Sequence, residues 1–287
     1  MKVLSAAAAA LRDHGIDTMF GVMGDANMYL VDRFVRDHGG RFFSTAHEAG
    51  GVMMAAGYAA VTGRPAAATA THGAVTNMVS ALFDATRGGY PLVVILGDTG
   101  ARDGYHLQNL PHKEIVAPTG ARFIDVRSAS TVVEDIARAV RWAQTESRPV
   151  VVNLPIDIQN EDVDYTKVSW GALPSRVWGP EPSAVEDAVG LISAARRPVV
   201  IGGRGAADPA AREAVARLAE RIGAPVASTL RGKDLFRGDP FNLGICGGLA
   251  TPLGTEIIAN ADTLIAFGAS LSALTADYGD LIAGKRI

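Results

Sequence analysis

A chain of 287 residues, 48% hydrophobic and 20% charged, is long enough to bury the cores of two domains and carries no bias toward disorder. A net charge of −3 without any basic run excludes nucleic acid and anionic membrane surfaces as main partners. The single cysteine, Cys246, excludes an internal disulfide and fits a reducing, cytoplasmic location.

The first residues, Met1 to Leu11, have the outline of a secretory leader, with Lys2 ahead of an alanine run. Val3, Ala7, Ala10 and Leu11 nevertheless fall at helical spacing, Arg12-Asp-His14 close the helix and Gly15 supplies a stop. The segment therefore reads as the first helix of a βα unit. No run approaches membrane-spanning length. From Thr18 to Leu154 short apolar runs alternate with helical ones. Strands are expected over 18–20, 41–45, 66–71, 92–96, 123–126 and 150–154, and helices over 29–38, 49–62, 75–87 and 131–145. This alternation predicts an α/β domain with a doubly wound parallel sheet. Ligands in such folds gather beyond the carboxyl ends of strands, where the stretches 21–27, 47–48, 71–76 and 97–110 fall.

One of these stretches organises the rest. Thr45-Ala-His-Glu48 leads into a helix made almost wholly of Ala, Gly, Val and Met, ending at Gly63. A helix with no polar face and so little bulk is expected to be buried where backbones approach closely. Glu48 in its first turn has two readings. It fits a capping box with Thr45, and it also fits a carboxylate desolvated by the apolar helix and steadied by the helix dipole.

After Pro155 the chain is polar and irregular to about Pro182, which reads as a linker over 158–182 between domains at 1–157 and 183–287. A second set of βα units follows, with helices over 184–195, 209–222 and 249–259 and strands over 198–201, 225–228 and 263–267. Gly202-Gly-Arg-Gly205 lies at a strand-to-helix turn but lacks the G-x-G-x-x-G spacing of a dinucleotide loop. A tight turn needing backbone freedom is the alternative reading.

Gly21-Val-Met-Gly-Asp-Ala-Asn27, His47-Glu48 with Gly57-Tyr-Ala-Ala-Val-Thr-Gly63, Thr71-His-Gly-Ala-Val-Thr-Asn77 and Pro91-Leu-Val-Val-Ile-Leu-Gly97 occur in this order. Together they resemble the thiamine-diphosphate enzymes of the acetolactate synthase and 2-oxo acid decarboxylase family. Arg197-Pro-Val-Val-Ile-Gly-Gly203, Gly232-Lys-Asp-Leu-Phe236 and Ala261-Asp-Thr-Leu-Ile-Ala-Phe-Gly268 resemble that family's middle domain. The resemblance implies a pyrimidine-binding domain over 1–157 and an incomplete Rossmann-like middle domain over 183–287. Ile287 resembles the first residue of a further strand.

The resemblance also assigns roles. Glu48 would bond the aminopyrimidine N1′ of thiamine diphosphate, and a carboxylate with one dry side shares a proton with the ring more readily than a solvated one. Asp25, after Gly24, matches an aspartate of substrate proton transfer, although Met23 stands where the decarboxylases have a proline that would stiffen the loop. Asp25 also fits a cap for the helix near Met28. Thr71, His72, Gly73 and Asn77 belong to a loop under the cofactor, shorter here by one residue and without its Pro-Gly. His72 reads as acid or base or as a structural histidine, and Asn77 as a pin for the next helix. Gln108 and His106 fall on the substrate side, and His106 and His112 each fit either a substrate-carboxylate contact or an ordinary exposed loop histidine. A metal site among these histidines is not expected, because no two share a helix face at ligand spacing.

The family's Gly-Asp-Gly…Asn-Asn motif, which holds Mg2+ and the diphosphate, is absent from this sequence. The metal ligands are therefore expected outside it, on the remainder of a longer enzyme or on a partner subunit. Ser270 stands where flavin-binding relatives have arginine, which argues against FAD. The function implied is a lyase or carboligase acting on a small 2-oxo acid, in a homodimer or homotetramer. The alternatives are a non-catalytic or half-site subunit of a heteromeric enzyme, and a nucleotide-binding sensor that uses the second domain.

Overall fold

The computed structural model describes residues 1–100, 106–169 and 179–287. The chain forms two compact units, Met1–Ser175 and Arg176–Ile287. In the first, β1 (Thr18–Gly21), β2 (Arg41–Ser44), β3 (Ala66–Ala70), β4 (Leu92–Asp98), β5 (Arg122–Asp125) and β6 (Val150–Pro155) make a parallel six-stranded sheet in the order β2-β1-β3-β4-β6-β5. Alternate residues of the central strands feed two cores. Ala67, Val93 and Ile95 meet α1 (Val3–Asp13), α2 (Met28–Arg36) and α6 (Val132–Glu146) on one face. Ala66, Ala68, Leu92, Val94 and Leu96 meet α3 (Glu48–Thr62) and α4 (Val79–Gly88) on the other. Burial on both faces is why these strands read as unbroken apolar runs.

The N-terminal helix ends as its sequence indicated. Gly15, at φ +85°, donates to the Arg12 carbonyl while Ile16 donates to that of Leu11, the paired bonds of a Schellman stop. The chain beyond α7 (Ile156–Gln159) packs back on this unit. Met1 and Val163 exchange backbone hydrogen bonds at 2.8 Å each way, and the Tyr165 hydroxyl donates to Asp13 at 2.7 Å. That neighbouring carboxylate, with burial as the larger cause, raises the Tyr165 phenol well above its ordinary range.

Two local expectations are corrected. The helix expected over 75–87 is split, because the segment His72–Met78 winds as a 3-10 helix before α4 begins. The short helix α5 (His112–Val116) was not anticipated. In addition, α3 is not buried all round. Gly51, Val52, Ala55, Ala56 and Ala59 face the sheet, whereas Met53, Met54 and Val61 are exposed.

In the second unit, β7 (Pro198–Gly202), β8 (Val226–Ser228), β9 (Asn242–Ile245) and β10 (Thr263–Phe267) pair in parallel in the order β10-β7-β8-β9. The helices α8 (Pro182–Ser193), α9 (Pro209–Ile222) and α10 (Pro252–Ala259) accompany them. Asp208 caps α9 by accepting from the amides of Ala210 and Ala211. β9 escaped the sequence reading because it is short and carries Gly244 at φ +83°. Next to β10, Arg286 forms a parallel bridge with Thr263, close to the strand start expected at Ile287. Among the described residues no helix is long and apolar enough to cross a membrane.

Candidate active site

The carboxyl ends of β1, β3 and β4 carry the polar groups that the sequence singled out. α3 reaches this edge by direct backbone contact. A Cβ on Gly51 would lie 2.9 Å from the Gly21 Cα, so only glycine lets the helix settle on the strand end. That contact sets Glu48, at the first turn of α3, beside the edge. Glu48 is half-buried, and its Oε2 accepts from Asn77 Nδ2 at 2.9 Å. Asn77 therefore pins the carboxylate rather than the next helix. The capping box is not formed either. His47 caps α3 through Nδ1, which accepts from the Ala49 amide at 3.2 Å, while the Thr45 hydroxyl donates to the His47 carbonyl. Glu48 is thereby released from a capping role.

The loop after β1 is held without a proline. Buried Asn27 accepts from the Gly24 amide at 2.7 Å and donates to the Val22 carbonyl and the Thr69 hydroxyl, each at 3.0 Å. Gln159 donates to the Ala26 carbonyl at 2.7 Å. Gly97 makes room for that carbonyl, since a Cβ there would fall 2.2 Å from the Ala26 oxygen. Gly24 likewise leaves space for the Thr71 side chain, which would stand 2.7 Å from an added Cβ. Asp25 does not cap α2, whose first residue follows Asn27. Its Oδ1 instead accepts from Thr71 Oγ1 at 3.0 Å and from the Ala26 amide at 3.0 Å, and lies 3.2 Å from His72 Nε2. Partial burial works against the charge. The Thr71 hydroxyl, the His72 ring and the Ala26 amide outweigh it and hold the carboxyl below its ordinary range.

His72 is 2% exposed, and its Nδ1 has no hydrogen-bond partner among the described residues. Its ring meets that of His106 edge-on, with centroids 4.9 Å apart. His106 Nδ1 accepts from the Gln108 amide at 3.2 Å. The side chain of Gln108 lies over Gly73, 3.3 Å from where a Cβ would stand. Residues 101–105, within the loop singled out over 97–110, lie outside the described residues. His112 is not an exposed loop histidine. It is buried, with Nδ1 2.8 Å from Asn153 Oδ1, and Asn153 donates in turn to Asp98 and Asp125. This network ties the ends of β4, β5 and β6 together, so His112 is structural.

Residues 1–117 match the family described as thiamine pyrophosphate enzyme, N-terminal TPP binding domain, and residues 185–285 match thiamine pyrophosphate enzyme, central domain. The chain belongs to the thiamine pyrophosphate enzymes. It is 34% identical over 285 residues to a probable 2-ketoarginine decarboxylase of Pseudomonas aeruginosa, covering 94% of this chain and 50% of the relative. It is 32% identical over 268 residues to a sulfoacetaldehyde acetyltransferase of Rhodobacter capsulatus, covering 91% and 45%. It is 30% identical over 289 residues to an acetolactate synthase of Arthrospira platensis, covering 96% and 50%. The chain thus spans about half the length of the curated relatives it matches.

In this member of the family, the sequence pattern did not reveal the supports of the site. Asn27 carried one legible signal, an Asx residue closing a glycine-containing loop after a strand. Gln159 carried none, being distant in sequence from the carbonyl it holds. Helix-face spacing gives no sign of a histidine metal site, yet the fold draws Asp25, His72 and His106 together from three loops. In the second unit, the Gly203 amide donates to the Phe267 carbonyl and that of Gly205 to Gly268. A Cβ on Gly203 would stand 2.2 Å from the Gly268 oxygen. The glycines serve close backbone packing, and these two amides are spent within the fold, which favours the tight-turn reading over a phosphate loop.

Proposed function

We propose that this chain supplies the pyrimidine-binding site of a thiamine-diphosphate-dependent lyase or carboligase for a small 2-oxo acid. The observation that carries this reading is the pairing of Glu48 with Asn77 at the sheet edge, beside the loops that bring Asp25, Thr71 and His72 together. Asn77 engages Oε2 and leaves Oε1 without a protein partner among the described residues, which suits one further bond to a ring nitrogen. When bound, thiamine diphosphate supplies the electron sink for cleaving or forming the bond next to a carbonyl.

The protein's share is position and proton traffic. Glu48 holds a proton at the aminopyrimidine edge, oriented by Asn77. Gly24, Thr71 and Gly73 form the wall on which the ring would rest. Asp25 is held ionised and touches His72, so the pair can take up or return a proton on the substrate side. Gln108 and His106 reach the same side and would orient the substrate. Mg2+ and the diphosphate would be held by residues outside this sequence. The open apolar face made by Met53, Met54 and Val61 of α3 supports a homodimer or homotetramer. A domain over 1–157, a linker over 158–182 and a middle domain over 183–287 complete this reading.

The test is turnover of a panel of 2-oxo acids by the polypeptide carrying this chain, with thiamine diphosphate and Mg2+. Glu48→Gln is expected to slow proton release from the cofactor by about 10²–10⁴-fold while leaving the oligomer intact in sedimentation. Full activity of Glu48→Gln would refute the assignment.

A further inference from the structure

Asp25, His72 and His106 lie on the loops after β1, β3 and β4, and each offers a ligand atom within 4.8 Å of the others. Asp25 Oδ1 and His72 Nε2 are 3.2 Å apart. Donors around a tetrahedral ion with bonds of about 2.0–2.1 Å are separated by about 3.3 Å, so this pair already spans one edge of a coordination polyhedron. The third donor would have to close by at most about 1.5 Å. His106 has the freedom to do so, because it is only half-buried and Gln108 restrains it through one 3.2 Å bond.

His72 is 2% exposed and turns Nε2 toward Asp25 Oδ1, so the ring already presents a donor atom to the cluster. Two imidazoles and a carboxylate suit borderline divalent ions, whereas Mg2+ and Ca2+ prefer oxygen donors. Asp25, 62% exposed, keeps a path open to solvent.

We propose that Asp25, His72 and His106 form a binding site for a borderline divalent transition metal, with Zn2+ as its expected occupant. Binding does not depend on thiamine diphosphate. Its consequence for turnover rests on the function proposed above, since an ion here would immobilise Asp25 and His72 and inhibit.

The test titrates Co2+ into the 287-residue chain without thiamine diphosphate or Mg2+, reading the visible ligand-field bands, and then displaces it with Zn2+. A saturable spectrum at one equivalent is expected, retained in Glu48→Gln and weakened by at least about tenfold in His106→Ala. His106→Ala changes a half-buried loop residue and leaves the core alone. His72→Ala gives the same loss, with circular dichroism reporting its fold. Absence of a saturable spectrum, or an unchanged affinity in His106→Ala, overturns the proposal whatever the outcome of the turnover assay.

Discussion

Asp17→Asn tests what holds α3 in place at the end remote from Glu48. The Asp17 carboxylate, just before β1, accepts from the Thr18 hydroxyl at 2.8 Å, the Tyr58 hydroxyl at 3.0 Å and Arg64 at 2.9 Å, with Arg41 3.6 Å away. It therefore joins the entry of β1 and the start of β2 to the far half of α3. Partial burial opposes its ionisation, but the bonds from Thr18, Tyr58 and Arg64 prevail and bring the carboxyl down from 3.8 to about 2. A depression of that size corresponds to about 2.5 kcal/mol. Solvent at this quarter-exposed group reduces the expectation to about 1–2 kcal/mol. Because the folded value is the lower one, this stability is fully present above about pH 4 and is lost as pH falls toward about 2. Urea unfolding followed by circular dichroism should therefore show Asp17→Asn less stable at neutral pH and converging on the parent in acid. A difference below about 0.3 kcal/mol at neutral pH, or one undiminished in acid, would refute the reasoning.

Three further outcomes are expected. Asn77→Ala removes the bond that orients Glu48 and should lower kcat by about tenfold to a hundredfold, with little change in thermal midpoint; an unchanged kcat would separate Asn77 from the chemistry. Gly97→Ala drives a methyl into the Ala26 carbonyl and should cost about 1–3 kcal/mol while displacing Asp25, so a fully stable and active variant would show that the loop can move aside. Burial raises the Cys246 thiol to about 11, so a thiol reagent at mildly alkaline pH should label it only on unfolding; rapid labelling of the native chain would contradict this burial.

The parallel sheet was legible because its central strands are apolar on both faces, and β4 appears in the sequence as one uninterrupted run. α9 was equally plain, with proline at its start and Gly223 at its stop. The site was legible as a set of loops, since strand ends announce themselves, and Glu48, Asp25, Thr71 and His72 all fall just beyond them. What the sequence could not show is which groups bond across loops. Asn77 looked local, yet its partner is Glu48 on another helix. His112 looked exposed, yet it is buried against Asn153. Such pairings depend on how crossovers bring distant segments together, and no periodicity records that. The misread cap of α3 has a similar cause. Thr45 and His47 both had suitable acceptors, and the backbone angles at His47 decided between them.

The contact between Gly51 and Gly21 gives Glu48 an unusual kind of address. Side chains in a core can exchange rotamers and shift what rests on them, but here the spacer between helix and strand is backbone alone. The start of α3 is thus registered to the sheet by backbone contact, and Asn77 is left to orient the carboxylate. Asp25, His72 and Gln108, by contrast, stand on loops held by side-chain hydrogen bonds, which can be redrawn one residue at a time. A scaffold built this way can change what it accepts without moving the group proposed to start the reaction.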